Sequence, residues 1–129
     1  MTIELTYLVL VTALTAVLWV PYILNRIAVR GLVEAVGYPE NPKPGAPWAE
    51  RMQAAHANAV ENLAVFAALV LVAHLAGVSS EGTVFACQMY FWARLVHVIA
   101  YTLALPWVRT IAFIAGFASQ ATLAWLLLA

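Results

Sequence analysis

The chain has 129 residues, 65% of them hydrophobic and only 9% charged, with a formal net charge of zero. Soluble domains carry about 25% charged residues, and a chain this short cannot hide so much apolar surface within itself, so lipid must be its solvent. Without a basic run there is no electrostatic footprint for nucleic acid, and the single cysteine, Cys87, excludes an internal disulfide and a cysteine-built metal site.

In chain order, the run from about Leu5 to Ile27 predicts a first transmembrane helix. Its first charge is Glu4 rather than a basic n-region, and the apolar stretch Leu5 to Leu24 is about 20 residues, longer than a signal-peptide h-region, so it reads as a retained span. Pro21 predicts a kink in its last turns, and Trp19 and Tyr22 suit the interface belt. The segment Tyr38 to Pro47 holds four prolines and predicts extended or polyproline II geometry. Pro47 followed by Trp48, Ala49 and Glu50 has the pattern of a helix start, with proline in the first turn and an acid at the positive helix end.

The second span is expected over about Trp48 to Gly77, and the short link Val78 to Gly82 turns it into an antiparallel hairpin with a third span, Thr83 to Leu105. Pro106 and Trp107 end that span, and a fourth runs from about Val108 to Leu128. The apolar runs are too long for strands and lack their alternation, so the fold class is all-α, an integral membrane four-helix bundle forming a single domain. Trp48, Trp107 and Trp125 fall at span ends and read as belt residues; Trp92 and Cys87 read as packing.

Arg26, Arg30, Lys43 and Arg51 lie in or beside the first loop, and Arg109 borders the third, whereas the second loop and both termini have no lysine or arginine. The positive-inside rule places the first and third loops in the cytoplasm and both termini outside it.

Several side chains are expensive where they stand. His56, Asn58, Glu61, Asn62 and His74 fall in the second span, Arg94, His97 and Tyr101 in the third, and Arg109 and Thr110 open the fourth. Each charge in hydrocarbon costs several kcal/mol unless paired or wetted. Asn58 and Glu61 share a helix face by their i, i+3 spacing, and Arg94, His97 and Tyr101 share another at i, i+3, i+7. A Glu61–Arg94 pair is the economical way to neutralise both charges. Two uses of the cluster stay open. One is a buried pair that sets helix register, with His97 and Tyr101 as hydrogen-bonding support. The other is a pocket for a polar or anionic ligand, open to the cytoplasm and flanked by lipid. Arg109 and Thr110 suit the second use, because an arginine and a hydroxyl beside the free N–H groups of a helix start form an anion site. A thiol placed there would have its pKa lowered and become a better nucleophile. His74 lies near the opposite face and reads as an interface residue.

The stretch Arg51-Met-Gln-Ala-Ala-His56-Ala-Asn58-Ala-Val-Glu61-Asn62 resembles the second-helix signature of the MAPEG family, the membrane-associated proteins in eicosanoid and glutathione metabolism. Ala93-Arg94-Leu-Val-His97-Val-Ile-Ala-Tyr101, followed by Pro106-Trp-Val-Arg109-Thr110, resembles that family's third helix and the opening of its fourth. The likeness runs in order over nearly the whole chain and is nearest to the bacterial branch, which implies a bacterial inner membrane. It implies a homotrimer with ligand sites between protomers and glutathione as the cofactor, its thiol toward Arg109 with Thr110 beside it. By the same resemblance Asn58, Glu61, His97 and Tyr101 hold the peptide, Arg26 meets a carboxylate, and Arg94 is a conspicuous arginine with a pairing role. The implied activity is a glutathione-dependent transferase or peroxidase acting on a lipophilic small-molecule substrate that arrives from membrane lipid. The alternative is a non-catalytic protein of the same fold that binds lipid or serves as a subunit. The pattern departs from glutathione-active members at Ala54 and Ala57, where they carry arginines, and at Phe113, where they carry a tyrosine; Arg51 and Arg26 are the arginines left to compensate.

Overall fold

The computed structural model describes residues 1–129, all helical apart from short connections. The elements are α1 (Ile3–Val17), α2 (Trp19–Arg30), α3 (Leu32–Val36), α4 (Pro47–Leu75), α5 (Glu81–Thr102) and α6 (Pro106–Leu128). Four helical stretches are long and apolar enough to cross a membrane, with α1 and α2 together making the first. The chain is therefore an all-α protein whose surroundings are lipid.

The first span is two helices because Pro21 has no N–H to give the carbonyl of Val17, one turn earlier. The ladder tightens there, with Leu18 N reaching Thr15 O at 3.4 Å. Thr15 adds to the bend by returning its hydroxyl to Val11 O at 2.8 Å. Gly31, at φ 79°, ends α2, and the single short helix α3 follows where the sequence suggested only loop.

The proline-rich segment is pinned rather than loose. Arg30 Nε donates to Lys43 O, Ala46 N to Asn25 Oδ1, and Gly45 N to the Glu50 carboxylate. Pro47 then opens α4 as its first residue, where its missing N–H costs nothing.

The central helix is α5, half of whose apolar window is buried, against 17–28% for the other spans. Phe66 and Tyr90 stack at 3.9 Å in a core with Val11, Val70, Cys87 and Leu123. Nearer the proline-rich end, Leu18, Ala55, Ala59 and Val98 form a second cluster in which small side chains let α4 and α5 approach closely. At the opposite end Glu4 Oε1 accepts from Ser79 and Thr83 hydroxyls, both at 2.7 Å, tying the start of α1 to the α4–α5 hairpin. The chain termini thus share one end of the bundle, and the loop-one and α5–α6 connections share the other.

Candidate functional site at the start of α6

The local rules that place the polar residues are simple. Asn58 lies on α4, His97 and Tyr101 one turn apart on α5, and Arg109 and Thr110 about one turn into α6. The α5–α6 connection is only Leu103 to Leu105, so the end of α5 and the start of α6 stay adjacent. Asn58, His97, Tyr101, Arg109, Thr110 and Phe113 consequently line one open groove of about 280 Å³.

Within it, the Arg109 guanidinium lies over the Tyr101 ring, 4.9 Å from its centroid, a cation–π contact that holds the charge at the groove wall. His97 is buried, edge-on to Tyr101 at 5.7 Å, and its Nδ1 has no partner in the chain. Phe113 faces His97 at 6.1 Å, so the side chain that lacks a hydroxyl is on the groove wall itself. Thr110 Oγ1 donates to Pro106 O at 2.9 Å, which leaves the hydroxyl oxygen as an acceptor until it rotates. No side chain caps the start of α6; Pro106 has no N–H and Arg109 N donates to Leu105 O at 2.9 Å, so only the Trp107 and Val108 N–H groups are left open there, and neither residue lines the groove.

The expected Glu61–Arg94 pair is not formed. Arg94 is buried and its Nη2 donates to Asn58 Oδ1 at 2.7 Å, while Glu61 is exposed. The i, i+3 rule correctly puts Asn58 and Glu61 on neighbouring positions of one helix, but α5 meets α4 on the Asn58 side. A second bond reinforces the choice: Asn62 Nδ2 donates to Asn58 O at 2.9 Å and approaches Oδ1 at 3.3 Å. With its oxygen taken by Arg94, Asn58 is left with its amide N–H groups for the groove. Arg94 borders no part of the groove and acts by orienting Asn58.

Arg51 sits at a neighbouring cavity, with Nε donating to Thr102 O at 3.0 Å. Arg26 lies elsewhere, against Gln53 Oε1 at 3.3 Å, and borders neither cavity. His56 accepts or donates through Nδ1 to the Tyr22 hydroxyl at 2.7 Å, joining α2 to α4. One contributor went unnoticed in the sequence. Gln120, buried in α6, donates to Asn62 O at 3.1 Å and so braces the Asn62–Asn58–Arg94 chain from the far side. A lone amide in an otherwise apolar span was the signal for it.

No curated protein sequence matches the chain. The family model for the MAPEG family matches residues 9–129. With four apolar spans and that match over essentially its whole length, the chain belongs to the MAPEG family.

Proposed function

We propose that the chain binds glutathione in the groove formed by Asn58, His97, Tyr101, Arg109 and Thr110, and activates its thiol toward a lipophilic electrophile or hydroperoxide entering from the bilayer. The observation that carries this reading is convergence: five polar residues from three helices, in a lipid-soluble protein of this family, line one groove. The donor set also fits an anionic peptide thiol. Asn58 offers N–H groups and Arg109 a fixed cation, while His97 Nδ1 awaits a partner.

Glutathione, when bound, supplies the thiolate nucleophile. Arg109 stabilises that negative charge and so raises the thiolate fraction at neutral pH. Thr110 must release Pro106 O to donate to the sulfur, a rotation about one side-chain bond. The Tyr101 ring keeps Arg109 from swinging into the aqueous phase. Arg94 holds the Asn58 amide in the orientation that donates.

The same reading includes a homotrimer in a bacterial inner membrane, with both termini outside the cytoplasm. What supports the oligomer is the exposed side of α4, where Ala54, Ala57 and Glu61 have no cover in one protomer. A carboxylate facing lipid costs several kcal/mol, and small residues allow a neighbouring helix to approach and shield it.

A second reading, a non-catalytic lipid-binding member or subunit, is favoured by Ala54, Ala57 and the apolar wall at Phe113. Calorimetry on the detergent-purified protein separates the two. Saturable binding at millimolar glutathione, abolished in Arg109→Ala, is the expected result. Absence of saturable binding by the native protein would overturn the enzyme reading in favour of the second. Where binding is seen, conjugation of an aryl halide and reduction of a lipid hydroperoxide distinguish transferase from peroxidase.

A further inference from the structure

At the end of the bundle opposite the groove, an acidic side chain is buried without a basic partner. Glu4 is only 5% exposed. Its Oε1 accepts from the hydroxyls of Ser79 and Thr83, both at 2.7 Å, and its Oε2 takes no hydrogen bond from the chain. No lysine or arginine stands at the start of α1 or in the α4–α5 turn. The starts of α1 and α5 lend partial positive charge, but no full charge balances the carboxylate.

Glu4 is one wall of a cavity of about 120 Å³, with Thr2, His74 and Ser79 among the others. A single water needs about 10–15 Å³ of such space, so the cavity has room for a group several times larger. It lies between the start of α1 and the turn that ends α4, and the negative end of that 29-residue helix favours a cation. Both helices cross the membrane and reach its surface here, so the cavity lies level with lipid headgroups.

The polar atoms around the cavity are chiefly acceptors. Glu4 Oε2 is free, and Ser79 Oγ has directed its proton to Oε1 and keeps a lone pair. The His74 ring, when uncharged, offers one nitrogen lone pair. The matching ligand is a cation made of donors. A metal ion matches less well, because nowhere in the chain do three His, Cys, Asp or Glu side chains converge. A primary ammonium has three N–H donors and no acceptor, as in lysine.

We propose that this cavity binds the primary ammonium of a phosphatidylethanolamine headgroup, with Glu4 as its counter-ion. Ser79 is the second acceptor, and Thr83 holds the carboxylate in place. The bound headgroup ties the start of α1 to the α4–α5 turn. The site is independent of the glutathione reading, which concerns the other end of the bundle.

The test offers delipidated protein in detergent equal amounts of phosphatidylethanolamine and phosphatidylcholine, and identifies the retained lipid by native mass spectrometry. The choline head keeps the positive charge but has no N–H, so the pair isolates the donors. Native protein should retain the ethanolamine lipid about tenfold over the choline lipid, the weight of one charged hydrogen bond. Glu4→Gln keeps an oxygen for the two hydroxyls and loses the charge, so its preference should fall to near unity. Equal retention of both lipids by the native protein would overturn the proposal without recourse to any variant. An undiminished preference in Glu4→Gln would overturn it too. Displacement of the ethanolamine lipid by zinc or calcium chloride would assign the cavity to a metal ion, with the same consequence.

Discussion

A buried arginine in a membrane protein invites an acidic partner, and Arg94 has an amide instead. A neutral acceptor leaves the guanidinium charge uncompensated, yet it fixes the amide of Asn58, a residue of the groove wall. This arrangement makes a stability prediction. Asn58→Leu strands Arg94 and should cost about 1.5–3 kcal/mol, the worth of a hydrogen bond to a charged group. Arg94→Met in the same background removes the stranded charge and should restore much of the loss. Thermal unfolding followed by tryptophan fluorescence in one detergent reads both. If the double variant were no more stable than Asn58→Leu, the account of Arg94 would be wrong. Helix periodicity put Asn58 beside Glu61 and aligned Arg94, His97 and Tyr101, and the family resemblance joined those faces to Arg109 and Thr110; Glu61 and Arg94, grouped with them in the sequence, do not line the groove. The partner of Arg94 was not legible in the sequence, since the rotation of α4 toward α5 is set by packing around Ala55, Ala59 and Val98.

At the scale of elements, the two ends of the α4–α5 hairpin show how similar caps are built from different residues. After α4, Gly77 at φ 71° donates to His74 O, and Val78 N to Ala73 O. After α5, Ala104 N donates to Tyr101 O and Leu105 N to Ala100 O, the same Schellman pairing, but Ala104 carries a side chain at φ 59°. A left-handed conformation costs an L-residue about 1–2 kcal/mol, whereas glycine loses about 0.5–1 kcal/mol more entropy on folding. Ala104→Gly should therefore be neutral or stabilising by up to about 1 kcal/mol. Ala104→Val, with a β-branch at positive φ, should be clearly destabilising. Thermal unfolding of the two variants checks the ordering, and a reversed order would show that the turn is not strained. The sequence marked Gly77 as a helix stop by its residue type; Ala104 has no such mark, and only the backbone reveals it.

For the whole molecule, the proposed orientation in the membrane rests on charge. Five of the six lysines and arginines cluster at the end bearing the first and third loops. A single reporter cysteine tests it cleanly, because Cys87 is fully buried and should stay silent. Ser80 caps α5 through Thr83 N, so the exposed Glu81 beside it is the better position. Glu81→Cys in intact cells should react with an impermeant maleimide added from outside. Reaction only after the inner face is exposed would reverse the topology. Labelling from outside would put the groove, at the opposite end of the bundle from Glu81, on the cytoplasmic side.

Composition and hydrophobic periodicity determined, unaided, that this chain is a bundle of four membrane helices with its basic residues at one end. Those properties are local: burial in lipid depends on the average over a span, and a helix face depends on residues three or four apart. Which helix faces meet is not local. It depends on small residues such as Ala55, Ala59 and Ala93 allowing close approach, on the break at Leu18 and on the short α5–α6 turn. The tertiary structure alone therefore decided that Arg94 belongs to Asn58, that Glu61 is left exposed, and that Arg51 rather than Arg26 shares a cavity with Arg109.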